Sequence, residues 1–395
     1  MHEIILKSYL VGGAVRDRIL GIQNSDKDYV VVGATEQEML TAGFVKVGSF
    51  FPVFLHPKTQ EEYALARTEK KTSVGYQGFF CQYHPSVTLA DDLKRRDLTI
   101  NAIAFDGENY IDPFNGLADL KNRILRPVSK AFKEDAIRVL RLARFKAKLP
   151  NFKLHDSFYL FIQDMKQSGE LNSLQPERVR TEMEKAFKES KPSLFFETLN
   201  VLGVLEVVFP ELHALIHVAH RKNNPKADAF THTMMVLDAA RQQGADNTCL
   251  YAALLHNLGK GIRRHIASAT NSVTLVKKFL KRFGISKNTT FVLSYTLYHL
   301  QVVCCKEMPY EQVIDLLDSL KIKKTTDTNF QNLITCSKAY TLDHMNADHS
   351  QTDYLAKCVQ TIEKLDFFEI TKNVENANKA AYVKQAKISA LKSGS

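Results

Sequence analysis

The sequence of 395 residues predicts an α+β protein, in which a mixed α/β head precedes an elongated all-α neck, body and tail. Residues 1–127 alternate short β-like apolar runs with turns, whereas the apolar spacing beyond Val128 is helical. A chain of this length has enough core for two or three domains. We therefore expect a mixed α/β head at 1–127, a helical neck at 128–210 and a helical body and tail at 211–395.

The first predicted elements are a strand, a glycine turn and a helix. Leu10-Val11 is a short apolar run, Gly12-Gly13 interrupts it, and residues 14–20 have apolar side chains at helical spacing. Glycines at such a turn let backbone amides approach a phosphate closely. The turn alone is a weak signal, because most Gly-Gly pairs are ordinary turns.

Two carboxylates, Asp26 and Asp28, stand directly before the apolar run 29–32. On a strand, residues i and i+2 share a face, so both acids can hold divalent cations such as Mg²⁺. Mg²⁺ at this position can clamp a triphosphate and activate an attacking hydroxyl, which indicates nucleotidyl transfer. An isolated D-x-D is usually a solvated loop, but the glycine turn before it and the strand after it favour a metal site.

Residues 61–67 are predicted to form another strand, in which Glu61 or Glu62 lies beside the aspartates as an auxiliary carboxylate; at least one of the two is expected to be an exposed edge residue. The polar stretch 68–78 that follows, with Lys70 and Lys71, is predicted to be a mobile loop.

Residues 93–101 place Lys94, Arg95 and Arg96 before Asp97 and a strand-like run. An arginine fork suits triphosphate oxygens, so one of the two arginines is expected to grip a nucleotide while Asp97 orients it. A surface charge run is the alternative. In the next segment, 111–116, Asp112 is interpreted as a structural turn residue.

A predicted helix at 134–144 carries Asp135, Arg138, Arg141 and Arg144. Asp135 and Arg138 are three residues apart, and so are Arg141 and Arg144, so the helix can present an acid and several guanidiniums to one ligand. An acid and an arginine together can read the edge of a base without a nucleic-acid template. An ordinary intrahelical salt bridge is the alternative for an isolated helix.

Composition supports a protein that handles a polyanion. The formal net charge is +10, which favours nucleic acid, although many basic proteins have only a solvated positive surface. The six cysteines form no C-x-x-C pair, so reduced thiols are expected. No signal peptide or membrane-spanning run is evident, so the sequence predicts a cytoplasmic protein.

In this order, the motifs resemble those of the bacterial class II CCA-adding enzymes, the tRNA nucleotidyltransferases. The resemblance runs from Tyr9 to about Pro210. It rests on the following segments: Val11-Gly12-Gly13-Ala14-Val15-Arg16-Asp17, Asp26-Lys27-Asp28, Lys94-Arg95-Arg96-Asp97-Leu98-Thr99-Ile100-Asn101-Ala102, Asp112-Pro113-Phe114-Asn115-Gly116, Glu134-Asp135-Ala136-Ile137-Arg138 and the neck motif Pro176-Glu177-Arg178-Val179-Arg180-Thr181-Glu182.

The resemblance implies a role for each matching residue. Asp26 and Asp28 would be catalytic Mg²⁺ ligands, Gly13 and Arg16 would contact nucleotide phosphate, and Arg96 would hold the triphosphate. Asp135 and Arg138 would act as a protein template that reads CTP and then ATP. Arg141 and Arg144 would make further nucleotide contacts, and the stretch 69–76 would be the flexible loop that helps the switch from CTP to ATP.

The C-terminal half departs from the family pattern. Members of the gamma-proteobacterial type carry an HD phosphohydrolase domain, expected here at about 228–330, and His232 and His256 occupy ligand positions in it. Asn257 replaces the acid, and a neutral amide is a much poorer metal ligand than a carboxylate. Because residues 264–267 also lack the expected histidine cluster, the phosphohydrolase activity is predicted to be lost while the fold remains.

The resemblance therefore implies an enzyme that adds CCA to the 3′ end of tRNA from CTP and ATP and releases pyrophosphate, with Mg²⁺ as cofactor. Its partners would be the tRNA acceptor end, CTP and ATP, with no membrane. Two alternatives remain open, a poly(A) polymerase with the same head and a tRNA-binding protein that has lost turnover. The oligomeric state, monomer or weak dimer, is left open by the sequence.

Overall fold

The computed structural model describes residues 6–23, 26–47, 52–73, 75, 78–221, 224–261, 269–341 and 349–393. The chain divides into two compact units, Met1–Val179 and Arg180–Ser395. Within the described residues, no helix is long and apolar enough to cross a membrane.

The first unit contains these strands: β1 (Lys7–Val11), β2 (Asp28–Val32), β3 (Val45–Val47), β4 (Val53–Leu55), β5 (Glu62–Leu65), β6 (Thr68–Lys71), β7 (Phe79–Gln82), β8 (Ala104–Phe105), β9 (Tyr110–Ile111), β10 (Ile124–Leu125) and β11 (Lys153–Leu154). Its α-helices are α1 (Gly13–Ile19), α2 (Glu36–Thr41), α3 (Leu89–Lys94), α4 (Gly116–Asn122), α5 (Ile137–Lys148) and α6 (Ser157–Gln167). Three 3-10 helices span Thr99–Asn101, Lys130–Glu134 and Glu170–Ser173. Helix α7 (Pro176–Phe187) begins in this unit.

Seven of the described strands form one mixed sheet in the order β3-β4-β5-β2-β1-β8-β9. Strands β2 and β5 are parallel, and the other neighbouring pairs are antiparallel. Val30 packs into an apolar cluster on one face of the sheet and Val31 into a second cluster on the other. Because successive strand residues point to opposite faces, the central strand is buried on both sides. The aspartate region at the start of β2 therefore rests on a rigid support.

Two segments of this unit differ from the sequence prediction. The strand-like run after Asp97 is a 3-10 helix, Thr99–Asn101, whose backbone closes over Gly116. A Cβ at Gly116 would lie 2.3 Å from the Thr99 carbonyl oxygen, so this close approach requires glycine. The stretch predicted as a mobile loop begins with strand β6, which pairs with β7 directly after the stretch; residues 74, 76 and 77 lie outside the described part.

The second unit is helical, as predicted for the C-terminal half. Its helices are α8 (Ser193–Val201), α9 (Leu205–Val208), α10 (Pro210–His213), α11 (Ala229–Gln242), α12 (Asn247–Leu255), α13 (Ala269–Arg282), α14 (Thr289–Val303), α15 (Tyr310–Ser319), α16 (Thr328–Thr341), α17 (Ser350–Glu363), α18 (Phe367–Thr371) and α19 (Lys379–Ser393). A strand pair, β12 (Ala219–Arg221) and β13 (Asn224–Asp228), precedes α11. Helix α12 is buried from Thr248 to Leu255 and packs against α11, α14 and α16. A helix that is apolar all round in this way is the centre of its unit.

Candidate active site

The glycine turn between β1 and α1 has a backbone that other residues rarely adopt. Gly12 has φ 72° and ψ −133°, and it precedes helix α1, which begins at Gly13. A Cβ at Gly12 would lie 2.9 Å from an Nη atom of Arg96. The turn therefore needs glycine for its backbone angles and also for the space that Arg96 occupies.

Asp28 is the first residue of β2 and lies between two other elements of the site. It pairs with Val11, the residue before the glycine turn, on one side and with Glu62, the first residue of β5, on the other. Asp26 precedes the strand, so the prediction that both aspartates lie on β2 is wrong. What places them near one another is the short exposed segment before the strand.

The two glutamates that the sequence left open have different surroundings. Glu62 lies beside Asp28 on the neighbouring parallel strand. Glu61 instead forms an ion pair with Lys27, at 3.1 Å between Nζ and the carboxylate. The auxiliary position therefore belongs to Glu62.

Negative charge accumulates at Asp28. Burial raises the pKa of the Asp28 carboxyl, Glu62 and Asp26 raise it further, and the nearby Arg96 guanidinium opposes them. Among the described residues neither Asp26 nor Asp28 forms an ion pair. Hard divalent cations prefer carboxylate oxygens, so Asp26 and Asp28 are the candidate ligands for a metal. No cluster of three or more His, Cys, Asp or Glu side chains suited to a metal occurs in the described part of the chain.

Arg96 lies two residues after the last residue of helix α3, so this helix places it at the site. Thr88 and Asp91 form a capping box that fixes the start of α3, and Asp92 on the same helix lies 3.3 Å from Arg96 Nη2. The Arg96 Nε is buried and has no hydrogen-bond partner among the described residues. A buried donor without a partner is costly, and a phosphate oxygen is a suitable acceptor for it.

Arg16 lies in a buried charged network. Its guanidinium donates to Asp17 Oδ1 at 2.8 Å and to Asn101 Oδ1 at 2.7 Å. Asn101 in turn donates to Asp97 Oδ1 at 2.9 Å, and Arg141 donates to Asp97 Oδ2 at 2.6 Å. The network links α1, the 3-10 helix Thr99–Asn101 and α5, so it holds the glycine turn on the helix that carries the arginines.

Electrostatics within this network favour ionised Asp97. Burial acts to raise the pKa of Asp97, but the Arg141 guanidinium and the Asn101 amide hold it well below its ordinary value. Asp97 was expected to orient a nucleotide-binding arginine. In the structure it binds Arg141 and accepts a hydrogen bond from the backbone amide of Leu98 at 2.8 Å.

The side chains of Asp135 and Arg138 do not pair with each other in this structure, and the two residues are joined only by the Arg138 amide, which donates to the Asp135 carbonyl oxygen at 3.0 Å. Asp135 lies before helix α5, accepts a hydrogen bond from the Ile137 amide at 3.0 Å and forms an ion pair with Arg178 at 3.2 Å. Arg138 is buried in α5, and its two Nη atoms donate to the carbonyl oxygens of Ala131 at 2.8 Å and Arg95 at 2.7 Å. The two residues expected to share a helix face are therefore placed differently: Asp135 precedes the helix beside Arg178, whereas Arg138 is buried within it.

Arg141 and Arg144 are partly exposed on α5. Arg144 lies over the Phe145 ring at 4.4 Å, while Arg141 joins the Asp97 network.

Asp92 forms ion pairs with both Arg95 and Arg96, and the sequence analysis did not predict this role. An aspartate on a predicted helix does not by itself indicate a site residue, because only the fold places Asp92 next to both arginines.

The second unit contains the histidine positions of the HD pattern. His232, His256 and His299 are buried with Tyr340, at ring-centroid distances of 5.1–5.6 Å. His256 Nδ1 contacts the Ala253 carbonyl oxygen at 2.7 Å, and Asn257 donates to Thr233 at 3.3 Å. Burial lowers the pKa of His256 well below its ordinary value and that of His299 to about 4. Among the described residues this cluster of rings includes no acid; the predicted segment 264–267 lies outside the described residues.

Three protein families match consecutive parts of the chain. The poly A polymerase head domain matches residues 8–126, and the probable RNA and SrmB-binding site of polymerase A matches residues 151–216. The HD domain matches residues 229–321. The first match includes the glycine turn, both aspartates and Arg96.

Solved structures of similar fold cover almost the whole chain. A CCA-adding enzyme in apo form II has a TM-score of 0.71 and 21% identity, with 98% of this chain and 88% of that chain covered. The Thermotoga maritima CCA-adding enzyme in complex with tRNA has a TM-score of 0.67 and 20% identity, over 98% and 90% of the two chains. A CCA-adding enzyme in complex with CTP has a TM-score of 0.69 and 20% identity, over 98% and 88%.

The matched segments agree with the order of elements in the structure, a mixed sheet followed by helices. Residues 8–126 thus match the poly A polymerase head domain, and the whole chain has the fold of the CCA-adding enzymes.

Proposed function

We propose that this protein adds CCA to the 3′ end of tRNA without a nucleic-acid template, using CTP and ATP and releasing pyrophosphate. The observation that carries the proposal is the grouping of Asp28, Glu62, the Gly12 turn and Arg96 at one end of the sheet. Structures of similar fold include CCA-adding enzymes in complex with tRNA, with CTP and with ATP, which supports this substrate set.

The metal ligands in this proposal are Asp26 and Asp28, with Mg²⁺ as the cation. Mg²⁺ bound there would polarise the α-phosphate and lower the pKa of the attacking 3′-hydroxyl. Glu62 adds negative charge beside Asp28, which favours a cation over an empty pair of carboxylates.

The triphosphate is proposed to lie against the Gly12-Gly13 turn. The absence of side chains there allows close backbone approach, and the buried Nε of Arg96 is available to a phosphate oxygen. All three guanidinium nitrogens of Arg16 hydrogen-bond to Asp17 or Asn101. Its proposed contribution to phosphate binding is therefore to hold the turn in place.

Nucleotide choice is proposed to rest on Asp135 and Arg138, with Arg141 and Arg144 as further contacts. Asp135 offers carboxylate oxygens to an exocyclic amine, and it forms an ion pair with Arg178 at 3.2 Å. Arg138 has to exchange one of its two carbonyl partners for a base edge when a nucleotide binds. Such an exchange changes few contacts, because the guanidinium retains its other donors.

The partner in this proposal is the acceptor end of tRNA, in a cytoplasmic setting. The formal net charge of +10 favours a polyanion, and phosphate contacts make such binding steeply dependent on salt. The head, neck and body boundaries at about 127 and 210 remain part of the proposal. So does the loss of phosphohydrolase activity, which the buried amide of Asn257 at the acid position supports.

One experiment separates this function from a poly(A) polymerase, which the names of the first two matched families also suggest. Purified protein is given tRNAs lacking A, CA and CCA, together with CTP, ATP and Mg²⁺. Three defined additions that stop after CCA support the proposal; an extended A tail supports the polymerase. Asp28→Ala should abolish incorporation of both nucleotides, whereas Arg138→Ala should chiefly blur nucleotide choice.

A catalytically silent tRNA-binding protein would bind the same tRNAs and incorporate nothing. The predicted loss of phosphohydrolase activity in the HD domain can be tested with a phosphomonoester or a 2′,3′-cyclic phosphate in Ni²⁺ or Mn²⁺. Turnover that His256→Ala abolishes would contradict the prediction.

A further inference from the structure

The sixty residues 247–306 contain no aspartate or glutamate. They carry nine lysines and arginines, so their formal charge is +9, whereas the formal charge of the whole chain is +10. The rest of the chain is therefore almost neutral, and its excess positive charge is concentrated within the second unit. A basic stretch of this kind is typical of a surface that binds a polyanion.

We propose that helix α13 and the loop after it form an RNA-binding surface, called here the α13 surface and defined by Lys277, Lys278, Lys281 and Lys287. Its ligand is the sugar-phosphate backbone of a double-stranded part of tRNA. The inference rests on the proposed function, because it assigns part of the tRNA-binding energy to the second unit. Lysine ammoniums bind phosphates without regard to sequence, so the surface contributes affinity and no base selection.

Helix α13 separates its apolar and basic side chains. Phe279 and Leu280 are buried, whereas the three lysines of the α13 surface that lie on this helix are exposed. Lys277 and Lys281 are one helical turn apart and therefore share a face. Proteins that bind single strands stack bases on exposed aromatic rings, and the ring of this helix is buried. The exposed face of α13 thus suits the phosphates of a duplex.

The lysines of the α13 surface form no ion pair among the described residues. On helix α19 of the same unit, in contrast, Lys384 pairs with Asp315 and Lys387 pairs with Asp318, both at 2.7 Å. Like charges one turn apart destabilise a helix, so the lysine spacing on α13 costs stability in the free protein. An external anion relieves this repulsion when it binds.

Two arginines hold α13 and the loop after it in place. Arg282 forms an ion pair with Glu211 at 2.8 Å, and its guanidinium lies 4.6 Å from the centroid of the Phe283 ring. Arg180 donates to the carbonyl oxygens of Phe283 at 3.2 Å and Gly284 at 2.6 Å. The loop that carries the fourth lysine therefore starts from a fixed point. A surface that is already ordered loses less entropy when its ligand binds.

The same loop borders a polar cavity of about 620 Å³. Lys287 lines this cavity, and so do two acids, Asp246 and Glu184. Asp246 accepts a hydrogen bond from the Cys249 amide at 2.9 Å, and Glu184 accepts one from the Tyr251 hydroxyl at 2.9 Å. Both acids are thus engaged within the protein, and the cavity leaves room for a ribose-phosphate unit beside Lys287.

The acid-free segment also contains the position where the HD pattern has an acid and this chain has Asn257. Burial lowers the pKa of His256 and of His299, and the Lys260 ammonium lowers both further. Positive potential at this site favours anions over metal cations. The amide at 257 is therefore part of a wider pattern, in which this segment of the HD domain attracts anions.

The test compares two triple variants that remove the same number of charges. The first replaces the three helical lysines of the α13 surface: Lys277→Gln, Lys278→Gln and Lys281→Gln. The control replaces three exposed lysines of the same unit that lie outside the acid-free segment: Lys324→Gln, Lys357→Gln and Lys364→Gln. Binding of tRNA lacking CCA is measured without nucleotides from about 50 to 300 mM salt. Circular dichroism and urea unfolding check the fold.

We expect the α13 triple variant to reduce the slope of log affinity against log salt by about two to three, because each lost phosphate contact removes about one unit. Its tRNA affinity near 0.1 M salt should fall about tenfold or more. The control variant should lose much less. In steady-state assays, KM for tRNA should rise in the α13 variant, whereas kcat and KM for CTP should match the wild type.

Wild-type affinity and salt slope in the folded α13 variant would overturn the inference. An equal loss in both triple variants would overturn it as well, since that result indicates only an effect of net charge. Vesicles of phosphatidylglycerol provide a further arm: if the α13 variant loses vesicle binding and retains tRNA binding, the surface binds a membrane and the RNA assignment is wrong. Failure of the wild-type protein to complete CCA counts against the proposed function instead, and tRNA binding without nucleotides still tests the α13 surface.

Discussion

Replacing Gly12 by alanine tests whether the glycine turn and Arg96 form one phosphate-binding unit. At φ 72° and ψ −133° an alanine backbone is strained, which costs about 1–3 kcal/mol of stability. The new Cβ would also lie 2.9 Å from the Arg96 guanidinium, so that side chain has to move. Moving a guanidinium away from a phosphate forfeits about 1.5–3 kcal/mol, which corresponds to a loss of about 10- to 150-fold in kcat/KM.

Gly21→Ala is the control for positive backbone angles. Gly21 has φ 70°, but a Cβ there would have nothing within 4 Å. We expect it to lower the free energy of unfolding by about 1–2 kcal/mol and to leave kcat/KM unchanged. The assay is single-nucleotide incorporation on tRNA lacking CCA over a range of CTP concentrations, with denaturant unfolding in parallel. Wild-type kcat/KM for CTP in folded Gly12→Ala protein would refute a role for this contact in triphosphate binding.

Three further predictions concern charged and titratable groups. Arg96→Lys should raise KM for both CTP and ATP about tenfold, because a lysine ammonium does not reproduce the arginine fork. Asp97→Asn should lower the free energy of unfolding of the first unit by about 1.5–3 kcal/mol, because it removes the charged partner of Arg141. The second unit should lose stability as the pH falls from about 6.5 toward 4, since the folded pKa values of His256 and His299 are lowered and the unfolded chain binds protons first.

These predictions are checked by steady-state kinetics, by urea unfolding at neutral pH and by urea unfolding across pH 4–8, respectively. Unchanged KM values in Arg96→Lys would contradict the triphosphate role of Arg96. Asp97→Asn also has a pH signature: because the folded pKa of Asp97 is lowered, its stabilisation is present above the ordinary Asp pKa and lost as the pH falls below it. For the histidine cluster, a His299→Phe variant should show a shallower loss toward acid, and an unaltered slope would count against the cluster.

Local patterns predicted much of the first unit. The strand, turn and helix around Gly12, the strand 28–32, and the turn in which Asp112 accepts from the amides of Gly116 and Leu117 follow from short-range spacing and turn chemistry. The 3-10 helix at 99–101 was missed, since its apolar residues are equally suited to a strand and its close approach to Gly116 depends on a distant segment.

The helix predicted at 134–144 is present, but it begins at Ile137 and extends to Lys148. Asp135 leaves the helical path to cap the Ile137 amide, and Asp, with its short polar side chain, commonly competes in this way at helix starts. Its partner Arg178 is 43 residues away in sequence, and no periodicity within the helix could identify it.

The sequence by itself determined which chemistry is present: paired aspartates ahead of a strand, a glycine turn, an arginine pair, an acid and arginine three residues apart, and an amide in place of an acid in the second unit. Only the tertiary structure decided which of these groups meet. It placed Glu62 rather than Glu61 beside Asp28, and it committed Arg138 to backbone carbonyls. The physical reason is that spacing along the chain controls local hydrogen bonds, whereas charges distant in sequence are paired by burial on a common sheet and helix.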